Sequence, residues 1–175
     1  MKVSEYIADF LASQGVTHVF GVAGGGNSFM ADAIAYHPKL KFVAMHHEQA
    51  AGFAAEGYAR ATGRLGVCLV TSGPGGTNAL TALAACWLDH VPVLFLSGQS
   101  FTTQMIGNTG CRQIGVQEID IVHGAMYWSK FTHFARYASE LQVMLGMAPS
   151  KAFSDRHGPV WIDVPADVQN ADLAA

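Results

Sequence analysis

Glu48 stands where a strand-like run, Lys41-Phe42-Val43-Ala44-Met45, gives way to a stretch of small residues, Ala50-Ala51-Gly52-Phe53-Ala54-Ala55. A carboxyl at a strand end, opening a close-packed helix, can exchange a proton with a bound group. An acid at a helix start is often no more than a partner for the macrodipole. What favours a site here is a second polar cluster after the next apolar run, Thr71-Ser72-Gly73-Pro74-Gly75-Gly76-Thr77-Asn78. Together they point to chemistry along one edge of a parallel sheet.

Other chemistries fit less well. Neither Gly21-Val22-Ala23-Gly24-Gly25-Gly26 nor Gly73-Pro74-Gly75-Gly76 matches the dinucleotide fingerprint, and no Gly-Lys-Ser/Thr follows either turn. Gly24, Gly25, Gly75 and Gly76 instead leave room for close backbone approach. His46 and His47 are adjacent, and neighbours on a strand point to opposite faces, so no shared metal ion is expected. No Ser or Cys sits in a G-x-S-x-G elbow.

The elements that would carry these residues alternate. Val3, Tyr6, Ile7, Phe10 and Leu11 mark an opening helix that Gly15 ends. Strands are expected at residues 18–22, 41–45, 66–71, 93–97 and 160–164. Helices are expected from Asn27 or Ser28 as cap to about Tyr36, from Glu48 to Thr62, from Thr77 to Trp87 and from Ser139 to Ser154, with Pro149 kinking or breaking the last. Residues 99–118 form a long polar segment of the kind that carries function or makes contacts. The pattern predicts an α/β fold in three layers, a mainly parallel central sheet flanked by helices. Residues 1–168 read as one domain, with a short C-terminal tail at 169–175.

Hydrophobic residues make up 50% of the chain and charged residues only 13%, a balance that suits a surface partly covered by other subunits. The net charge of -3, without a basic run, argues against nucleic acid. No apolar stretch is long enough for a membrane helix, and the N-terminus lacks a signal-peptide pattern, so a cytoplasmic location is expected. Cys68, Cys86 and Cys111 form no C-x-x-C; the first two read as buried free thiols.

The chain resembles the pyrimidine-binding (PYR) domain of thiamine-diphosphate-dependent enzymes, closest to the acetolactate-synthase-like group. The resemblance rests on collinear stretches along nearly the whole chain: Gly15–Gly21, His47-Glu48-Gln49-Ala50-Ala51, Glu56–Arg60, Thr71–Asn78, Gly98-Gln99, Gln117-Glu118 and Gly158–Pro165. It implies that Glu48 is the glutamate bonded to N1′ of the cofactor's aminopyrimidine, the contact that activates the thiazolium C2. It implies that Pro74 and Asn78 pack near the pyrimidine. Gly24 and Gly25 would form the tight turn beside the reacting carbons, and Gln117 would point at bound substrate.

Departures accompany the matches. Ala23 stands where related synthases carry proline, and Val116 where they carry a phenylalanine that shapes the substrate pocket. The segment from Gln99 to Gln117 is longer than usual. Arg112 within it reads either as a partner for a substrate carboxylate or as a solvated loop residue. The family's Gly-Asp-Gly with a downstream Asn, which holds Mg²⁺ against the diphosphate, does not occur here, nor does the middle domain that binds FAD in some synthases.

The resemblance therefore implies a PYR-domain subunit of a split 2-oxo acid decarboxylase or carboligase, active only with a PP-domain partner that holds the diphosphate and Mg²⁺, in an α2β2 heterotetramer. A non-catalytic PYR-like regulatory protein and an excised domain of a full-length synthase remain the alternatives.

Overall fold

The computed structural model describes residues 1–173. In chain order it contains α1 (Val3–Ser13), β1 (His18–Gly21), α2 (Ser28–Tyr36), β2 (Lys41–Ala44), α3 (Glu48–Thr62), β3 (Gly66–Val70), α4 (Pro74–Leu88) and β4 (Val93–Gln99). These are followed by α5 (Ile121–Ala125), β5 (Phe131–Phe134), α6 (Ala138–Phe153), β6 (Val160–Pro165) and α7 (Ala166–Gln169). The strands form one six-stranded sheet in the order β2-β1-β3-β4-β6-β5, and every pair is parallel. The expected three-layer α/β fold is the observed one.

Strand alternation divides the core. Val67 and Leu69 of β3 face a layer built on Val3, Ile7 and Leu11 of α1, Met30 and Ile34 of α2, and Leu141 and Leu145 of α6. Cys68 and Val70 face the other layer, with Ala51, Ala55 and Ala59 of α3 and Ala79, Ala82 and Leu83 of α4. Both faces of β3, β4 and β6 are covered, so every residue of the three strands is buried and most are apolar. Small residues let α3 and α4 sit close: a Cβ on Gly52 would overlap that of Ala82.

The structure corrects several expected boundaries. Helix α4 begins at Pro74, not Thr77, so Gly75 and Gly76 lie in its first turn. Proline suits that position because its missing N–H would be unpaired there anyway. A Cβ on Gly75 would come within 2.7 Å of the Thr71 methyl, and one on Gly76 within 3.0 Å of Ile121. Helix α6 runs through Pro149 unbroken. Leu141 and Leu145 before the proline, and Ala148 and Ala152 around it, are buried on one face, and that packing outweighs the lost hydrogen bond. Between residues 119 and 138, where no element was expected, lie α5 and the edge strand β5.

Gln169 opens the segment expected as a tail, yet it is fully buried. Its amide donates to the carbonyls of Gly26 at 2.6 Å and Val164 at 2.7 Å. Further on, Leu173 N donates to Met1 O at 3.0 Å.

Candidate active site

The sheet order places a topological switch point between β1 and β3. The chain leaves β1 for β2 on one side and later enters β3 on the other, so the turns after β1 and β3 diverge over a crevice at the strands' C-terminal ends. Glu48 enters this crevice from beside the end of β2, as the first residue of α3. Its helix is capped by His47, whose Nδ1 accepts from Gln49 N at 3.1 Å. That is the role of a histidine the sequence offered only as an unlikely metal ligand.

The half-buried Glu48 carboxylate is held on one oxygen only. Asn78 Nδ2 donates to Oε2 at 2.9 Å. Oε1 receives no hydrogen bond from the described residues, and a Cβ on Gly75 would lie 3.6 Å from it. Pro74 sits four residues before Asn78 at the start of α4, which puts both on one helix face.

Thr71 ties the glycine turns together, although the sequence reading gave it no role. Its Oγ1 accepts from Gly26 N at 3.1 Å, and its side chain fills the space that a Cβ on Gly24 or Gly75 would need. Asn27, one of the two expected caps, stands at the N-cap position of α2, but its buried side chain makes no capping bond and closes the turn instead: Oδ1 accepts from Gly24 N at 2.7 Å and Nδ2 donates to Val22 O at 3.0 Å. A Cβ at Gly25 would meet nothing within 4 Å, so the turn presents open backbone there.

Gln117 is brought to the same region by Gly73. Both residues have positive φ, 56° and 60°, and a Cβ on Gly73 would lie 2.6 Å from the Gln117 carbonyl oxygen. Only glycine allows this approach. Val116 turns the other way: it is 80% exposed and lines no part of the adjoining cavity. The segment is shaped by Glu118, whose buried carboxylate accepts from the backbone N–H groups of Ile106, Ile114 and Gly115 at 2.6, 3.1 and 3.1 Å. Burial works to raise its pKa, but the three N–H groups outweigh it and leave the carboxyl below the ordinary range.

Behind Gln117 lies a buried polar relay. Trp161 Nε1 donates to Ser97 Oγ at 2.8 Å, and Ser97 Oγ donates to Asp163 Oδ1 at 2.6 Å. Gln99 Nε2 donates both to Asp163 Oδ2 at 3.1 Å and to Ile119 O at 2.9 Å. Burial pushes the Asp163 carboxyl up to about 7, against the hydrogen bonds from Ser97 and Gln99, while Asp120 adds to the rise.

That shift makes stability depend on pH. Below 3.8, the ordinary value, folded and unfolded chains both carry the proton, and Asp163 contributes no difference. Between 3.8 and about 7 the folded state binds the extra proton, so stability falls as pH rises. Above that window the loss is complete, at about 4 kcal/mol as an upper figure. In Asp163→Asn this component of the slope disappears, even though the new amide is less stable facing the Gln99 donor. Denaturant unfolding at pH 5 and pH 7 reads the difference, and equal slopes in the two proteins would refute it.

Comparison with known proteins joins the geometry to a family. The model described as "Thiamine pyrophosphate enzyme, N-terminal TPP binding domain" matches residues 1–124. The chain belongs to this family. It is 42% identical over 171 residues to an acetolactate synthase of Arthrospira platensis, an alignment covering 95% of this chain and 28% of that protein. It is 38% identical over 168 residues to the large subunit of acetolactate synthase isozyme 1 of Escherichia coli K12, covering 96% of this chain and 29% of the relative. For the isozyme 2 large subunit of the same organism the identity is 38% over 171 residues, covering 98% and 30%. The chain thus spans less than a third of the length of these relatives.

The donor set fits the pyrimidine end of thiamine diphosphate. One Glu48 oxygen is open beside Gly75, which has no side chain to cover it, and the other is fixed by Asn78. Among the described residues, no helix of this TPP-binding domain is long and apolar enough to cross a membrane.

Proposed function

We propose that this chain supplies the pyrimidine-binding half of a thiamine-diphosphate-dependent enzyme. That enzyme decarboxylates a 2-oxo acid or joins the resulting acyl unit to a second carbonyl compound. The observation that carries the proposal is the divided Glu48 carboxylate, with Oε2 held by Asn78 and Oε1 open beside Gly75.

When bound, thiamine diphosphate supplies a carbon nucleophile and an electron sink for the decarboxylation. The chain's residues do the rest. Glu48 exchanges a proton at Oε1 with the pyrimidine ring, and Asn78 stops the carboxylate from rotating away. Pro74, one turn before Asn78, would pack near the ring. The Gly24-Gly25 turn, pinned by Thr71 and Asn27, offers backbone to the reacting centre. Gln117, its backbone packed against Gly73, would point at bound substrate.

The diphosphate and Mg²⁺ are assigned to a PP-domain partner carrying Gly-Asp-Gly and Asn. Exposed apolar residues support such a partner: Leu88 is 73% exposed and Tyr127 77%, beside Trp87 and Trp128. The much greater length of the relatives favours a second arrangement of the same chemistry, with both halves on one polypeptide.

Co-expression with candidate PP-domain subunits tests the split arrangement. The expected result is a stable complex that releases CO₂ from pyruvate only when thiamine diphosphate and both subunits are present. Failure to find any stable complex would overturn the two-subunit form. A complex whose activity ignores thiamine diphosphate would overturn the chemistry itself.

A further inference from the structure

A cavity of about 1400 Å³ opens between the 102–123 segment, the C-terminal ends of β5 and β6, and the start of α6. Gly73, Pro74 and Gln117 form part of its wall, so it is continuous with the Glu48 region. It exceeds the roughly 300–1,000 Å³ usual for a small-molecule pocket, and it is far larger than a three-carbon 2-oxo acid needs.

Its charges are unevenly satisfied. Each lining carboxylate is already engaged. Glu118 takes three backbone N–H groups, and Asp163 takes Ser97 and Gln99. Asp167 accepts from Thr102 N at 3.0 Å and from its hydroxyl at 2.5 Å. Asp120 is paired with His123 at 2.5 Å. The two lining arginines are solvent-exposed, and their side chains have no protein partner among the described residues. Among the described residues, neither the Arg112 nor the Arg136 guanidinium forms an ion pair or a side-chain hydrogen bond. Much of the remaining wall is apolar, with Met105, Ile106, Ile119, Val122 and Phe134 exposed to it.

We propose that this cavity binds an organic anion: a carboxylate or phosphate group held by Arg112 and Arg136, its carbon skeleton on the apolar wall, its other end toward Gln117. Guanidinium groups suit both anions because their fork of N–H donors matches two oxygens at once. This deepens the proposed function and rests on it for the ligand's role. The substrate class becomes a 2-oxo acid, or its acceptor, that carries a second acidic group far from the reacting carbonyl.

Binding to the full chain, without turnover, separates the two ideas. The probes are 2-oxoglutarate as dicarboxylate, inorganic phosphate as the other anion, and pyruvate as the short monoanion, measured by calorimetry. We expect 2-oxoglutarate to bind at least about tenfold more tightly than pyruvate, and Arg112→Gln and Arg136→Gln each to weaken it about tenfold. Competition by phosphate would mark a phosphate-bearing ligand, and its absence a carboxylate-bearing one. The proposal is overturned if the wild-type chain binds neither dianion at millimolar concentration, or if Arg112→Gln/Arg136→Gln binds 2-oxoglutarate as the wild type does. A chain that binds the dianion but supports no thiamine-diphosphate-dependent CO₂ release retains this site and loses the proposed function. The reverse pattern does the opposite.

Discussion

Glu48→Gln in the assembled enzyme should lower thiamine-diphosphate-dependent release of CO₂ from pyruvate by about 10²- to 10⁴-fold, the range lost when a general acid–base group is removed. The substitution keeps size and shape. The glutamine carbonyl can still accept from Asn78, which now holds Oε2 at 2.9 Å. What disappears is the ability of the open oxygen to take up and return a proton. The first turn of α3 also loses a favourable charge, worth about 0.3–1 kcal/mol at an exposed helix start. In a chain of this size that shifts the melting temperature by only about 1–4 °C. The expected pattern is therefore a collapse of kcat, little change in KM, and near-normal melting. Thermal unfolding beside steady-state kinetics reads all three. Equal activity of mutant and wild type would remove Glu48 from the chemistry, and a collapse of melting would reassign it to structure.

The parts of the fold that were legible in the sequence are those where one local rule decides. β3, β4 and β6 lie between two helical layers, so their residues are apolar apart from Ser97, Gln99 and Asp163, which satisfy one another, and each shows as a largely apolar run. Helix α1 shows because one face alone is buried, giving Val3, Ile7 and Leu11 their spacing. β5 did not show. It is an edge strand of four half-buried residues, Phe131-Thr132-His133-Phe134, with neither alternation nor a continuous run. Its place is set by pairing with β6, a later segment of the chain. Pro149 misled for a similar reason, since what holds α6 together across it is packing that helix propensity does not describe.

The site divides along the same line. Glu48 was singled out by its place between a strand and a helix and Pro74 and Asn78 by the resemblance; of these the structure brings Asn78 to Glu48 across one helix pair. Thr71, Glu118 and Gln169 were not singled out. Thr71 meets Gly26 across 45 residues of sequence, and Gln169 meets it across 143. No period or turn rule spans such distances. Glu118 was quoted only as the neighbour of Gln117, yet it gathers three amides and sets the backbone on which Gln117 is displayed. Val116 was expected to line the substrate pocket. In this chain its side chain is 80% exposed, and its carbonyl accepts from Ser100 Oγ at 3.0 Å.

Gly98→Ala should be the most damaging single-methyl change in the chain. Gly98 lies within β4, where φ is ordinary, so the demand for glycine comes from space and not from backbone freedom. A Cβ there would overlap the Gly26 carbonyl and lie 2.5 Å from Asn27 N. Both are backbone groups of the turn that carries Gly24 and Gly25. The turn cannot step aside cheaply: Gly26 N is held by Thr71 Oγ1 at 3.1 Å, and Gly26 O by Gln169 Nε2 at 2.6 Å. Overpacking of a tight core typically costs 1–3 kcal/mol, and a clash with pinned backbone belongs at about 3 kcal/mol or above. For a chain of this length that lowers the melting temperature by roughly 10 °C. Gly25→Ala is the matched control, because its Cβ would meet nothing within 4 Å, and it should change stability by less than about 0.5 kcal/mol. The two residues are close in space and opposite in consequence, which separates support of the turn from what the turn presents. Gly98→Ala melting with the wild type would mean that the turn does not rest on β4. In that case the Gly24-Gly25 backbone would be positioned by Thr71, Asn27 and Gln169.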